Sequence, residues 1–135
     1  MELTHIEHIG IAVRNLNESI KFYETVLGLK CYSIEEVKDQ KVRTAFFKIG
    51  GTKIELLEST EQDGPIAKFI EKKGEGIHHI AYAVNNLNGT LKELESTGIQ
   101  LIDKVPHKGA EGLNISFIHP KSANGVLIEL CELKK

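Results

Sequence analysis

Two histidines and two glutamates of this chain stand in apolar surroundings where an ionisable side chain is out of place. His8 heads the run Ile9-Gly10-Ile11-Ala12-Val13, and Glu55 sits inside Ile54-Glu55-Leu56-Leu57. His79 heads Ile80-Ala81-Tyr82-Ala83-Val84, and Glu129 sits inside Ile128-Glu129-Leu130. A carboxylate in such a setting is costly unless it is hydrogen-bonded, paired or bound to a cation. Two imidazoles and two carboxylates offset the charge of one divalent metal ion and suit Co, Zn, Mn, Ni or Fe. Octahedral coordination by four protein ligands leaves two open positions for water or substrate.

The four residues are not scattered. His8-Ile-Gly-Ile-Ala-Val-Arg-Asn-Leu-Asn repeats as His79-Ile-Ala-Tyr-Ala-Val-Asn-Asn-Leu-Asn at an offset of 71 residues. Over 8–24 and 79–95, nine of seventeen pairs are identical, which is far above coincidence and marks an internal duplication. Gly51-Thr-Lys-Ile-Glu-Leu-Leu-Glu repeats as Gly125-Val-Leu-Ile-Glu-Leu-Cys-Glu at an offset of 74, so the second half holds three extra residues in a loop. The repeat selects His79 over its neighbour His78, which strand alternation turns to the opposite face. His5 has the opposite parity to His8 and is expected in solvent, with His107 in a polar loop and His119 in a turn before Pro120. Glu58 and Glu132 repeat as well, and their place at strand ends reads as a solvated edge.

Elements of the same kind must position each half. A strand over about 4–13 or 77–84 leads to a helix over about 16–27 or 87–97, opened by Asn side chains and closed by Gly28 or Gly98. Ile20, Tyr23 and Leu27 recur at helical spacing and should face a core, as should Leu91 and Leu94. Three strands complete each module, over about 30–37, 41–49 and 52–58, and over about 99–104, 113–118 and 125–132. Gly50-Gly51 makes a hairpin turn, and Pro65 to Lys73 a linking helix. The expected fold is therefore α+β. Two βαβββ modules (about 4–60 and 76–133, joined by a linker helix at about 64–73) are related by pseudo-twofold symmetry. They form a curved mixed sheet around a metal cleft, one domain over 1–135. Neither module alone is large enough to bury a good core.

Composition excludes several classes. The 135 residues are 41% hydrophobic and 27% charged, ordinary for a globular protein. A net charge of −2 argues against a nucleic-acid module. No apolar run is long enough to span a bilayer, and the charged, alternating start does not read as a signal peptide. Cys31 and Cys131 lack metal or redox spacing and are expected to be buried, reduced and inert, in keeping with a cytoplasmic protein.

The chain resembles the vicinal oxygen chelate superfamily, which includes glyoxalases, bleomycin resistance proteins and dioxygenases. Within it, the chain is most similar to the methylmalonyl-CoA epimerase family. The resemblance rests on His8-Ile-Gly-Ile-Ala-Val, Phe22-Tyr-Glu-Thr-Val-Leu-Gly-Leu, Lys53-Ile-Glu-Leu-Leu-Glu, Pro65-Ile-Ala-Lys-Phe-Ile, Gly76-Ile-His-His-Ile-Ala and His119-Pro-Lys-Ser-Ala-Asn-Gly-Val-Leu-Ile-Glu-Leu. It implies a divalent metal held by His8, Glu55, His79 and Glu129, an acyl-CoA thioester substrate and a homodimer. It also implies epimerisation at C2 through an enolate. Some of the family carry Gln at the place of Glu55, and some carry a Glu near Thr44, proposed as a base; this chain has no acid at Thr44. Glu129 is then the favoured base, with Glu55, or a water it orients, as the other. Lys121 and Ser122 are candidate contacts for the substrate carboxylate or the CoA phosphates. Lactoylglutathione lyase, which uses a two-His, two-Glu set, is the alternative enzyme, and a metal-free resistance protein the alternative binder.

Overall fold

Asn15 and Asn86 open equivalent helices. In the computed structural model, which describes residues 1–134, their side chains accept the N–H of Glu18 and of Gly89, each at 3.0 Å. Lys135, the last residue of the expected domain, lies outside the described residues. An asparagine at this place satisfies one of the amides a helix leaves unpaired at its start. The helices are α1 (Leu16–Thr25) and α3 (Leu87–Ser96). Gly98, with φ +82°, follows directly on the cap of α3, as expected. α1 stops earlier than expected, with its cap at Val26; Gly28 turns the chain with φ +71° so that the Leu29 N–H reaches the Tyr23 carbonyl at 3.1 Å. Leu27, expected in the core, consequently lies past the helix and is 52% exposed.

The strands are β1 (Leu3–Ala12), β2 (Ser33–Val37), β3 (Val42–Ile49), β4 (Thr52–Ser59), β5 (Gly76–Val84), β6 (His107–Lys108), β7 (Asn114–Ile118) and β8 (Ile128–Glu132), with α2 (Pro65–Lys73) between β4 and β5. The contacts divide the chain into two units, one of His8–His78 and one of Met1–Glu7 with the residues from His79 on.

In the first unit the strand order is β2-β3-β4-β1, with β1 parallel to β4 and the other pairs antiparallel. One face packs on α1, where Val13, Leu16, Ala45, Phe47 and Leu56 are buried against half-buried Ile20 and Tyr23. On the other face Ile66 of α2 packs with Ala12, Val42 and Leu57. In the second unit β5 is parallel to β8, which pairs antiparallel with β7, and β7 with β6. Leu87, Leu91 and Leu94 of α3 cover Val84, Ile118 and Leu130. Each such side chain stabilises by about 1.5–3 kcal/mol when fully buried. The fold is α+β, with the β-α order duplicated in the two units.

The second unit departs from the expected strands at its edge. Of 99–104, only Leu101 bridges to Ile118, and the ladder resumes at His107 opposite Ile115. Between these points Asp103 takes over, its Oδ2 accepting the Phe117 N–H at 3.1 Å and its carbonyl accepting the Ser116 hydroxyl at 2.6 Å. Pro106, with no N–H to donate, follows within the interruption. His107, expected in a loop, is therefore a strand residue. The last strand begins at Ile128 and not at 125, because Pro120–Ser122 forms a 3₁₀ turn and Gly125 takes φ +83° ahead of it.

Candidate functional site

Strand pairing repeats around each histidine. Gly10 of β1 stands in register with Glu55 of β4, and Ala81 of β5 stands in register with Glu129 of β8. His8 and His79 each lie two residues before that small partner, on the same strand face. The small residue leaves the space above it to the imidazole and the carboxylate on either side. His8 Nδ1 lies 3.1 Å from Glu55 Oε2, and His79 Nε2 lies 3.3 Å from Glu129 Oε1. All four residues are buried, between 3% and 5% exposed.

Each unit thus holds one imidazole nitrogen and one carboxylate side by side and shielded from water. Such donors suit a divalent cation of the first transition row. Their type and their burial, which an unbound carboxylate would find costly, fit a metal ion. His78 lies half-buried against Phe69, with rings 5.0 Å apart edge to face, and His5 is exposed and bonded to Thr4. The Nδ1 of His119 accepts the Lys121 N–H at 3.0 Å, which makes it the cap of its turn.

Several residues around the pairs carry signals the sequence reading passed over. Phe46 pairs across from Glu55, and Phe117 across from Glu129, so an aromatic ring shares each glutamate's face. Phe117 meets the His79 ring edge to face at 6.0 Å. The pair was detectable, because Phe46 and Phe117 are themselves 71 residues apart. Of the two cysteines expected to be buried, Cys31 is only half-buried; buried Cys131, expected to be inert, donates its S–H to Glu129 Oε2 at 2.8 Å, whereas its counterpart in the first unit is Leu57.

The register also locates the three extra residues. Phe46 to Glu55 and Phe117 to Glu129 span matched ladders, so the excess falls in the β7–β8 connection, 119–127. That connection carries Lys121, which is exposed, and Ser122, whose Oγ accepts the Gln100 N–H at 2.9 Å. Thr44 of β3 is buried at 1% exposure.

Glu58 and Glu132 are not solvated edges. Glu58 Oε2 accepts the Leu16 N–H at 2.8 Å, and Glu132 Oε2 accepts the Leu87 N–H at 3.0 Å. These are the first amides of α1 and α3, where a negative charge also meets the positive end of the helix. Each lies three residues past a buried glutamate and so points to the other face of the same strand, toward the helix. The duplication preserved two carboxylates per module, one for the site and one for the helix.

A sequence profile for the glyoxalase/bleomycin resistance protein/dioxygenase superfamily matches residues 7–117. The chain belongs to this superfamily. It is 48% identical over 132 residues to the Bacillus subtilis protein YqjC, covering 98% of this chain and 94% of that one. It is 36% identical over 129 residues to the mitochondrial methylmalonyl-CoA epimerase of Homo sapiens, covering 95% of this chain and 73% of that one. A methylmalonyl-CoA epimerase solved with methylmalonyl-CoA and NH4+ is similar to this chain with a TM-score of 0.93 and 35% identity, covering 97% of this chain and 95% of that one. No helix among the described residues is long and apolar enough to cross a membrane.

Proposed function

We propose that this chain is a metal-dependent methylmalonyl-CoA epimerase, which interconverts the C2 epimers of its substrate by removing and returning a proton. The observation that carries this reading is the buried His–Glu pair repeated on matched parallel strands. It occurs in a chain 35% identical, over nearly its whole length, to an epimerase solved with methylmalonyl-CoA. In this reading the two modules act as one domain over 1–135, and His8, Glu55, His79 and Glu129 hold one divalent ion together. The ion is Co, Zn, Mn, Ni or Fe, since these donors serve all of them. When bound, it supplies Lewis acidity for the charge that develops on the thioester oxygen.

The chain's own residues move the proton. Inverting C2 without redox chemistry requires a base on one face of the carbon and an acid on the other. Glu129 is one of these groups, and Glu55, or a water it orients, is the other. A carboxylate that also holds a cation is a weakened base, so Glu129 depends on the thiol of Cys131 to keep one oxygen in place. Lys121 and Ser122 contact the substrate carboxylate or the CoA phosphates. A homodimer in the cytoplasm completes the reading, on the strength of the family resemblance.

Purified, metal-analysed protein should convert one epimer of methylmalonyl-CoA to the other in D2O, with deuterium appearing at C2. It should form no lactoylglutathione from the hemithioacetal of glutathione and methylglyoxal. The reverse pair of results would overturn the proposal in favour of a glyoxalase, and bound metal with neither reaction would overturn both.

A further inference from the structure

The second unit breaks the duplicated plan at its edge, and the reading above gives that break nothing to do. Where β2 runs along β3 without interruption, the second unit's edge strand stops short of Asp103 and resumes at His107. The Asp103 carboxylate divides its work: Oδ2 accepts the Phe117 N–H at 3.1 Å, and Oδ1 lies 3.8 Å from His107 Nδ1. Its carbonyl accepts the Ser116 hydroxyl at 2.6 Å, so the residue is tied down at two points. The interruption thus sets a fixed carboxylate behind an imidazole.

Register defines what His107 faces. Directly opposed residues of antiparallel strands point to the same side of a sheet. His107 opposes Ile115, Ile115 opposes Cys131, and two residues along the same ladders Phe117 opposes Glu129. His107, Ile115, Phe117, Cys131 and Glu129 therefore lie on one face, all within the second unit. The His107 ring lies 6.4 Å from that of Phe117, tilted by 33°, and Phe117 in turn meets His79 edge to face. Buried Ile115 and half-buried Phe117 make an apolar floor with an ionisable group at either end. Strand spacing and rise put the His107 and Glu129 Cα atoms ~12 Å apart. An imidazole and a carboxylate extending toward one another across that floor leave room for one small carbon centre between them. With Nδ1 turned to Asp103, Nε2 is the ring nitrogen left for a ligand.

We infer that His107 is the proton-transfer residue on one face of the substrate C2, opposite Glu129, with Asp103 as its positioning residue. This rests on the epimerase reading and replaces Glu55 in it, which leaves Glu55 to its pairing with His8. In the forward step His107 Nε2 takes the C2 proton, and the C–H electron pair becomes the C1–C2 π bond of an enolate. The carbonyl π pair moves onto the thioester oxygen. The Asp103 carboxylate offsets the positive charge that the ring acquires. The carboxyl of Glu129 then gives a proton to the opposite face of C2. The C1–C2 π pair forms the new C–H bond, and an oxygen pair restores the carbonyl. Solvent water takes the proton from the imidazolium and resupplies Glu129. A base held in place by a third group is the usual arrangement for proton transfer, and the break in the edge strand supplies it.

The test compares metal-loaded wild type with His107→Gln on each epimer separately in D2O. Metal content and affinity for a non-exchangeable CoA thioester should be unchanged in the variant. Epimerisation should fall by ~10²–10⁴-fold, the usual contribution of a positioned acid–base group. Deuterium exchange should survive with the epimer whose proton faces Glu129 and be lost with the other. Asp103→Asn keeps an acceptor for the Phe117 amide but removes the charge behind the ring. It should slow exchange of the same epimer, by less than His107→Gln does, and leave the other epimer alone. Exchange of both epimers at wild-type rates in His107→Gln would overturn the assignment, and so would equal loss of both. Failure of His107→Gln to fold or to bind metal, with Asp103→Asn showing no selective effect, would overturn it too. A wild type that exchanges neither epimer would overturn the epimerase reading and the assignment with it.

Discussion

Replacing Glu132 with alanine separates the two jobs that the duplicated glutamates perform. The change removes the acceptor of the Leu87 N–H at 3.0 Å and of the Asn114 amide at 3.2 Å. A hydrogen bond to a charged group contributes about 1.5–3 kcal/mol, and a carboxylate at a helix start adds about 0.3–1 kcal/mol. Glu58→Ala removes the 2.8 Å bond from Leu16 in the same way. Its ion pair with Arg43, at 3.5 Å with both side chains partly exposed, adds little. Each variant should lose about 2–3 kcal/mol. For a chain of this length that is a fall in Tm of roughly 6–12 °C. Urea unfolding of the two single variants and the double variant measures this directly. The two carboxylates accept from the amides of different helices, so the losses should add to within about 0.5 kcal/mol. Metal content and C2 exchange should survive, because Glu58 and Glu132 face the helices and not the histidines. A loss below about 0.5 kcal/mol, or a metal-free variant that remains folded, would refute the assignment.

Glu129→Gln keeps an acceptor for the Cys131 S–H and should fold normally, yet epimerisation should fall by ~10²–10⁴-fold with metal retained; a normal rate would remove Glu129 from the proton path. Chelation should lower Tm, and restoring free metal to 100 times its Kd should return about 2.7 kcal/mol of stability. A Tm indifferent to metal would contradict a site built from the buried pairs. Cys131→Ala should weaken metal binding about 10–100-fold, as loss of a group orienting a ligand does, and Cys131→Ser should preserve it. Equal binding by both variants would show that the thiol has no part in holding Glu129.

The duplication made the site legible, because a residue that serves one role in both halves leaves a double trace. His8 with His79 and Glu55 with Glu129 stood out in this way, and the structure pairs each histidine with the glutamate of its own half. The same trace did not reveal the role of Glu58 and Glu132. A carboxylate at a strand end looks solvated until the start of a helix is packed beside it, which is a fact of tertiary structure. The edge of the second unit was illegible for a related reason. Residues 99–104 have strand-like composition, but the Asp103 side chain competes with its own backbone for the Phe117 amide, and Pro106 removes a donor.

What diverged between the halves matters as much as what was kept. A carboxylate beside an imidazole serves a cation equally well in either half, so nothing drives the His–Glu pairs apart in sequence. Methylmalonyl-CoA is different on every side: a carboxylate, a methyl group, a proton and a long thioester arm meet at C2. Residues around the donors must differ if they are to tell these groups apart, and they do. Cys131 holds Glu129 where Leu57 stands near Glu55, and the two-residue Gly50-Gly51 turn is matched by the connection bearing Lys121 and Ser122. Thr44 corresponds to Ile115 by the repeat, and the residues opposite them are Glu35 in one unit and His107 in the other. One ladder position thus carries a carboxylate in the first unit and an imidazole in the second, each an ionisable group with its own chemistry. Exchanging that one difference, as in Glu35→His with His107→Glu, should leave metal content intact and slow epimerisation. If instead the rate survived the exchange, recognition of the two faces of C2 would have to reside elsewhere.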